Sequence, residues 1–115
     1  MTTPPLILVT GAAGKVGHAF IARFVDDARF ADWHVRALCH QRPLPEQQRV
    51  ESVFGAIQDR AAVERALAGV THVLHLATSK ETPEDAMDVS VKGLFWLLEG
   101  CRTSANFRRS LAPLR

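Results

Sequence analysis

Three glycines that follow an apolar run near the start of the chain could bind a phosphate group. The run Leu6–Thr10 leads directly into Gly11, Gly14 and Gly17. A buried strand that breaks into a glycine turn and then opens a helix presents unpaired backbone N–H groups and a partial positive charge to an anion. Gly11 allows a backbone angle that side chains disfavour, Gly14 allows close approach to the ligand, and Gly17 allows close packing of the helix on the strand. The motif therefore predicts a cradle for a pyrophosphate.

The spacing of these glycines differs from two familiar phosphate-binding patterns. Gly-x-x-Gly-x-x-Gly is one residue longer in the turn than Gly-x-Gly-x-x-Gly. It is not a P-loop either, because Lys15 is not followed by Ser or Thr. After the turn, Val16, Phe20 and Phe24 recur at helical spacing, which supports a strand–turn–helix unit. A plain strand-to-helix turn without a ligand is the alternative.

Strand-like and helical segments alternate along the chain, which predicts an α/β fold with a parallel sheet. Right-handed crossovers then predict the strand order 3-2-1-4. Because this order reverses between strands 1 and 4, the glycine turn and residues 76–78 should meet at a crevice where ligands bind. The predicted strands are residues 6–10, 34–39, 50–53 and 72–76, and the predicted helices are residues 16–28, 60–68 and 82–102.

Composition places the chain among globular proteins and excludes several classes of partner. It has 115 residues, of which 47% are hydrophobic and 23% charged, as expected for one domain. No apolar stretch approaches the roughly 20 residues of a membrane span, so we expect no membrane partner. The first residues lack the basic region of a secretory signal, and Cys39 and Cys101 are better interpreted as reduced, buried residues. We therefore expect a cytoplasmic protein.

Charge is distributed unevenly along the chain. Residues 1–101 carry ten basic and twelve acidic side chains, whereas the last fourteen residues carry four arginines and no acid. Arginines without interleaved aromatic residues do not indicate a nucleic-acid partner. We expect a domain over residues 1–102 and a basic, irregular tail over 103–115. No metal site is expected, because His72 and His75, three apart in a strand, point to opposite faces.

Four segments resemble, in the same order, motifs of the NAD-dependent epimerase/dehydratase family, the extended members of the short-chain dehydrogenase/reductase superfamily. Residues 10–17 resemble its glycine motif, and residues 55–59 resemble its Gly-Asp-Ile-x-Asp segment. Residues 75–77 resemble its His-Leu-Ala strand end, and residues 89–99 its Asn-Val-x-Gly-Thr-x-x-Leu-Leu-Glu helix. The resemblance covers about residues 5–102. It implies the N-terminal part of a Rossmann-like NAD(P)-binding fold.

The resemblance also implies a set of cofactor-binding residues. Ala56 stands where the family has an Asp that accepts from the adenine amino group, which leaves Ile57 as an apolar contact to the ring. Ser90 stands where the family has an Asn that supports the catalytic proton network. Together with two residues chosen by charge at the end of strand 2, the expected set is Gly11, Ala13, Gly14, Lys15, Val16, Gly17, His40, Arg42, Ala56, Ile57, Leu76, Ala77 and Thr78.

The residues after strand 2 bear on the choice between NAD and NADP. An acidic residue at this strand end would bond the ribose hydroxyls and select NAD. No Asp or Glu occurs between residues 35 and 45, and His40 or Arg42 could instead meet a 2′-phosphate. We therefore expect NADP to be somewhat favoured over NAD. The alternative is that Arg42 points to water.

The family's catalytic pair is absent from the sequence. The family uses Tyr-x-x-x-Lys for general acid–base chemistry, and this chain contains no tyrosine. We assign no catalytic residue and expect a truncated, cofactor-binding half of an epimerase, dehydratase or reductase. The alternatives are a non-catalytic NAD(P)-binding module and a remnant that interacts through its open sheet edge. Self-association is expected through the edge of strand 4 or the last helix.

Overall fold

The computed structural model describes residues 4–40, 44–45, 47–77 and 91–103. Its strands are β1 (Leu6–Thr10), β2 (His34–Cys39), β3 (Val50–Phe54) and β4 (His72–His75). Its helices are α1 (Lys15–Asp26), a 3₁₀ turn (Ala28–Phe30), α2 (Arg60–Leu67) and α3 (Leu94–Thr103). Within the described ranges, these strands form one parallel sheet in the order β3-β2-β1-β4. The predicted α/β, Rossmann-like class and its strand order are confirmed.

Helices cover both faces of the sheet because successive strand residues point to opposite faces and are apolar on each. On β1, Ile7 and Val9 pack on the α1 side, whereas Leu8 packs on the side of α2 and α3. The buried residues of the α1 side are Ile7, Val9, Ala12, Ile21, Phe24, Val35, Ala37, Cys39 and Leu44. Those of the other side are Leu8, Leu38, Ile57, Val63, Ala66, Leu67, Val70, Leu97 and Cys101.

The ends of several elements differ by one or two residues from the predicted bounds. α1 ends at Asp26 because Asp27 is extended, and its carboxylate accepts the N–H of Arg29 at 2.9 Å to begin the 3₁₀ turn. The predicted cap of α2 is confirmed, since the Asp59 carboxylate accepts the N–H of Ala61 at 3.1 Å. β4 ends one residue early, where the Leu76 N–H is shared by two oxygens of Thr10. The predicted start of the last helix lies outside the described residues.

Two arginines, one on β2 and one directly before β3, hold the ends of helices. The Arg36 guanidinium donates to the carbonyls of Ala66 and Ala68, at 2.8 and 2.6 Å, and pairs with Glu51 at 2.7 Å. These carbonyls lie at the end of α2, where intrahelical partners run out. Arg49 has a φ of 66°, and its guanidinium donates to one carbonyl in the last turn of α1 and to two between α1 and β2. Both arginines therefore hold the C-terminal ends of helices, which lie away from the carboxyl edge of the sheet.

Among the described helices, none has the length and apolar character that crossing a bilayer requires.

Candidate functional site

The carboxyl ends of all four strands meet at one edge of the sheet. Parallel register places Thr10 beside Leu38 on one side and beside His75 on the other. The Gly55 N–H donates to the carbonyl of Cys39 at 3.0 Å, which brings the segment after β3 to the same edge. The sheet order reverses between β1 and β4, so a crevice opens there. This is the position predicted for the ligand.

Two of the three glycines are required by the packing of the turn itself. Gly11 has a φ of +67°, and a Cβ on it would lie 2.7 Å from the carbonyl carbon of Leu76. A Cβ on Gly17 would lie 2.4 Å from the carbonyl oxygen of Gly11. Contacts this short do not occur, so larger residues would displace the backbone of the turn or of β4. Gly17 therefore packs the helix on the turn that ends β1, close to its predicted role.

Gly14, by contrast, is open on the side where a ligand would approach. Its backbone is extended, with φ −74° and ψ 170°, and a Cβ on it would meet only the Gly11 carbonyl oxygen, at 3.3 Å. Gly14 is the N-cap of α1 and supplies no side-chain hydrogen bond. Within the described part of the chain, the N–H groups of Lys15, Val16 and Gly17 have no acceptor. Free donors at a helix start, beside a residue without a side chain, fit a pyrophosphate.

The buried hydroxyl of Thr10 ties β1 to β4 at the floor of the crevice. Thr10 Oγ1 accepts the N–H groups of Leu76 and Ala77, at 2.9 and 3.2 Å. It also lies 2.7 Å from Nδ1 of His75. Two accepted bonds use both lone pairs of the hydroxyl, so its single hydrogen is donated to Nδ1. A neutral His75 therefore carries its proton on Nε2, a tautomer assigned by this hydrogen-bond accounting.

His75 is half-buried between the strands, and this lowers its pKa. Burial disfavours the charged imidazolium, and so the pKa lies below the usual value of 6.5. The hydroxyl that donates to Nδ1 acts in the same direction, because it binds the neutral ring. The floor of the crevice thus presents a neutral ring at physiological pH.

Most of the residues predicted from the sequence lie around this crevice. Ile57 is buried in the cluster on the α2 and α3 side, against which Ala77 packs. His40 is exposed directly after β2. Arg42 and Thr78 lie outside the described residues. The structure therefore brings together, at this edge of the sheet, Gly11, Ala13, Gly14, Lys15, Val16, Gly17, His40, Ala56, Ile57, Leu76 and Ala77.

Sequence reasoning missed two residues that shape the site. The linking role of Thr10 was not foreseen, although a polar residue at the end of an apolar strand is a usable signal. Gly93 is buried against Ile57, and a glycine inside a helical pattern is a sign of close packing.

In the part of the chain that is described, no group of three or more His, Cys, Asp or Glu side chains could hold a metal ion. The His72 ring packs 4.6 Å from the ring of Trp33 instead.

Comparison with known proteins gives related sequences and folds. A curated relative is the (4-alkanoyl-5-oxo-2,5-dihydrofuran-3-yl)methyl phosphate reductase of Streptomyces griseus subsp. griseus, 39% identical over 82 residues. This match covers 70% of the present chain but 27% of the relative.

Solved structures of three proteins show the same fold. Uronate dehydrogenase from Agrobacterium tumefaciens, as a Y136A mutant complexed with NAD, matches at a TM-score of 0.75 and 27% identity, over 85% of this chain and 36% of its own. Glucuronic acid dehydrogenase from Chromohalobacter salexigens matches at a TM-score of 0.78 and 27% identity, over 91% of this chain and 39% of its own. A short-chain dehydrogenase/reductase superfamily protein from Agrobacterium tumefaciens with bound NAD matches at a TM-score of 0.69 and 34% identity, over 90% of this chain and 30% of its own.

The chain thus spans between about a quarter and two fifths of the length of these relatives. Residues 7–112, which include every strand and helix described above apart from the first residue of β1, match the model of a single family. The chain therefore belongs to the NAD dependent epimerase/dehydratase family.

Proposed function

We propose that this chain binds NAD(P) and forms the cofactor-binding part of an oxidoreductase-type enzyme. The observation that carries the proposal is the start of α1, where free N–H groups surround an open Gly14 beside the crevice. Two of the solved relatives hold NAD, which supports the same ligand here. A bound dinucleotide would supply hydride transfer.

Each part of the site has a proposed role. The backbone N–H groups of Lys15, Val16 and Gly17 bind the pyrophosphate, helped by the positive end of α1. Ile57 provides an apolar contact to the adenine ring. Leu76 and Ala77, held by Thr10, form the opposite wall of the crevice. Because the chain contains no tyrosine, we propose that it binds the cofactor without catalysing hydride transfer by itself.

A binding titration with a blocked cradle tests the proposal. Calorimetry with NADP⁺ and with NAD⁺ should detect binding to the chain. Gly14→Ala should keep the fold, because the extended backbone accepts alanine, but weaken binding by about tenfold or more through loss of a charged hydrogen bond. Ala22→Ser, on the exposed side of the same helix, is the control and should bind like the wild type. Absence of binding, or equal affinities in both variants, would contradict the proposal.

For the choice of dinucleotide, we propose a preference for NADP over NAD. His40 is exposed and follows β2 directly. Residues 35–45 contain no Asp or Glu, so this segment has no carboxylate that would repel a 2′-phosphate. The same titrations should show that NADP⁺ binds more tightly than NAD⁺. His40→Gln or Arg42→Gln should lower the affinity for NADP⁺ more than the affinity for NAD⁺. A clear preference of the wild type for NAD⁺, the ligand named for the solved relatives, would overturn this choice while leaving the cradle intact.

A further inference from the structure

The start of α3 meets Ile57 at a point where only glycine fits. Residues 91–93 form a π-helical turn that continues into α3 at Leu94, and Gly93 is buried in this turn. A Cβ on Gly93 would lie 2.9 Å from both Cγ1 and Cγ2 of Ile57 and 3.2 Å from its carbonyl oxygen. The φ of Gly93 is not positive, so the requirement for glycine there comes from packing and not from backbone conformation.

Ile57 has little freedom to give way to a larger residue at position 93. Its side chain is 7% exposed and packs in one cluster with Leu8, Leu38 and Leu97. Protein interiors are close-packed, so a displaced Ile57 finds no free space among these neighbours. The two branches of its side chain and its carbonyl group all face the glycine, and no single rotation relieves every contact. A methyl group at position 93 would therefore move Ile57 relative to the sheet edge.

We propose that Gly93 is a positioning residue of the dinucleotide site, which lets α3 hold Ile57 where its side chain meets the adenine ring. The proposal rests on the proposed function, because the adenine contact of Ile57 is part of it. The π-helical turn at Gly93 is a second observation in its favour, since such turns are frequent at functional sites. Gly93 therefore influences the adenine part of the ligand and not the pyrophosphate, which binds at α1.

The same helix offers a matched control. Gly100 also lies on α3 next to an apolar side chain, and a Cβ on it would lie 2.4 Å from Cδ1 of Leu67. Leu67 ends α2, whose start follows the carboxyl edge of the sheet, so this contact lies at the opposite end of α2 from the site. Gly93→Ala and Gly100→Ala thus add the same group to the same helix and disturb packing in both cases. Only the first disturbs a residue assigned to the cofactor.

Calorimetry with two probes separates positioning from general loss of stability. ADP carries the adenine ring, and inorganic pyrophosphate lacks it. Gly93→Ala should lower the affinity for ADP by about tenfold, in line with the cost of overpacking, and should change the affinity for pyrophosphate by less than about twofold. Gly100→Ala should leave both affinities unchanged. The inference would be overturned if Gly93→Ala lost affinity equally for both probes, or if Gly100→Ala lost as much affinity for ADP as Gly93→Ala does.

A double variant covers the case in which Gly93→Ala does not fold. Ile57→Ala removes both Cγ atoms that the new methyl group would meet, so Ile57→Ala/Gly93→Ala should fold. In the Ile57→Ala background, adding Gly93→Ala should leave ADP affinity unchanged, and a further loss would overturn the inference. If the wild type binds neither dinucleotide nor ADP, the proposed function fails as well. If the wild type binds and Gly93→Ala binds ADP equally well, this inference alone fails.

Discussion

Thr10 is the residue through which the glycine turn and β4 share one geometry. Its hydroxyl holds His75 and the N–H groups of Leu76 and Ala77, while Gly11, the next residue, packs on the same backbone. A buried hydroxyl with all its bonds satisfied has a single favourable arrangement. The crevice wall and the glycine turn are therefore fixed together.

The depressed pKa of His75 predicts a stability that depends on pH. The unfolded ring titrates near 6.5 and the folded ring below that value, so between the two the unfolded state binds more protons. The free energy of unfolding should therefore be greatest above about pH 6.5 and fall as the pH is lowered from there to the folded pKa. Thermal melts at about pH 7.5, 6.5 and 5.5 should show this decline in the wild type.

His75→Gln should flatten this dependence, because glutamine does not titrate. His18→Gln, which changes an exposed histidine on α1, should keep the slope of the wild type. Asp27 and Glu99 do not interfere, since hydrogen bonds from Arg29 and Arg102 lower their pKa values below 3.8 and 4.5. Equal slopes for His75→Gln and the wild type would show that another group controls the decline.

Among the elements, the strands were more predictable than the contacts that fix the helix ends. β1 and β2 match their predicted bounds, because parallel strands buried on both faces give continuous apolar runs. α1 ended earlier than predicted, since the periodic pattern cannot show that Asp27 would bond Arg29 instead of continuing the helix. The contacts of Arg36 and Arg49 join residues far apart in sequence, and no local pattern reveals them.

Arg36 should contribute measurably to stability through α2. Its side chain is 16% exposed and satisfies two carbonyls at the end of that helix. Arg36→Met should lower the free energy of unfolding by about 1–3 kcal/mol, the cost of leaving such groups unpaired. Arg36→Lys should lower the free energy of unfolding by only part of this amount, because an ammonium group still donates hydrogen bonds but lacks the planar fork of donors.

Chemical denaturation measures the effect of Arg36. Arg102→Ala is the control, since it removes an exposed ion pair with Glu99 and should lower the free energy of unfolding by much less than Arg36→Met. If Arg36→Met were no more destabilised than Arg102→Ala, the bonds to α2 would contribute nothing beyond a surface ion pair.

At the scale of the whole molecule, the sequence predicted where the crevice lies better than how it is built. Strand order and the glycine motif were enough to locate the crevice between β1 and β4. The contact of Gly93 with Ile57 depends on how α3 lies against the sheet, which periodicity does not specify. The hydrogen bonds of Thr10 depend on the register of two strands 65 residues apart. Such details follow from tertiary packing and are not encoded in any short segment.

The outward face of α3 predicts self-association of the chain. Val91, Leu94, Phe95 and Leu98 are apolar, exposed and spaced as one helical stripe, with Phe95 56% exposed. Exposed apolar patches of this kind mark interaction sites or aggregation liabilities. We expect light scattering after size exclusion to give a mass above 12.7 kDa that rises with concentration.

Phe95→Glu should shift the population toward monomer without changing the fold, because its side chain faces outward and lies outside both buried clusters. Arg102→Ala, an exposed change on the same helix, should leave association unchanged. If Phe95→Glu associates like the wild type, the open edge of β4 becomes the contact, since β4 has only β1 as a neighbour among the described strands. A wild-type chain that stays monomeric at every concentration would contradict both routes, and the exposed stripe would then be tolerated as ordinary surface.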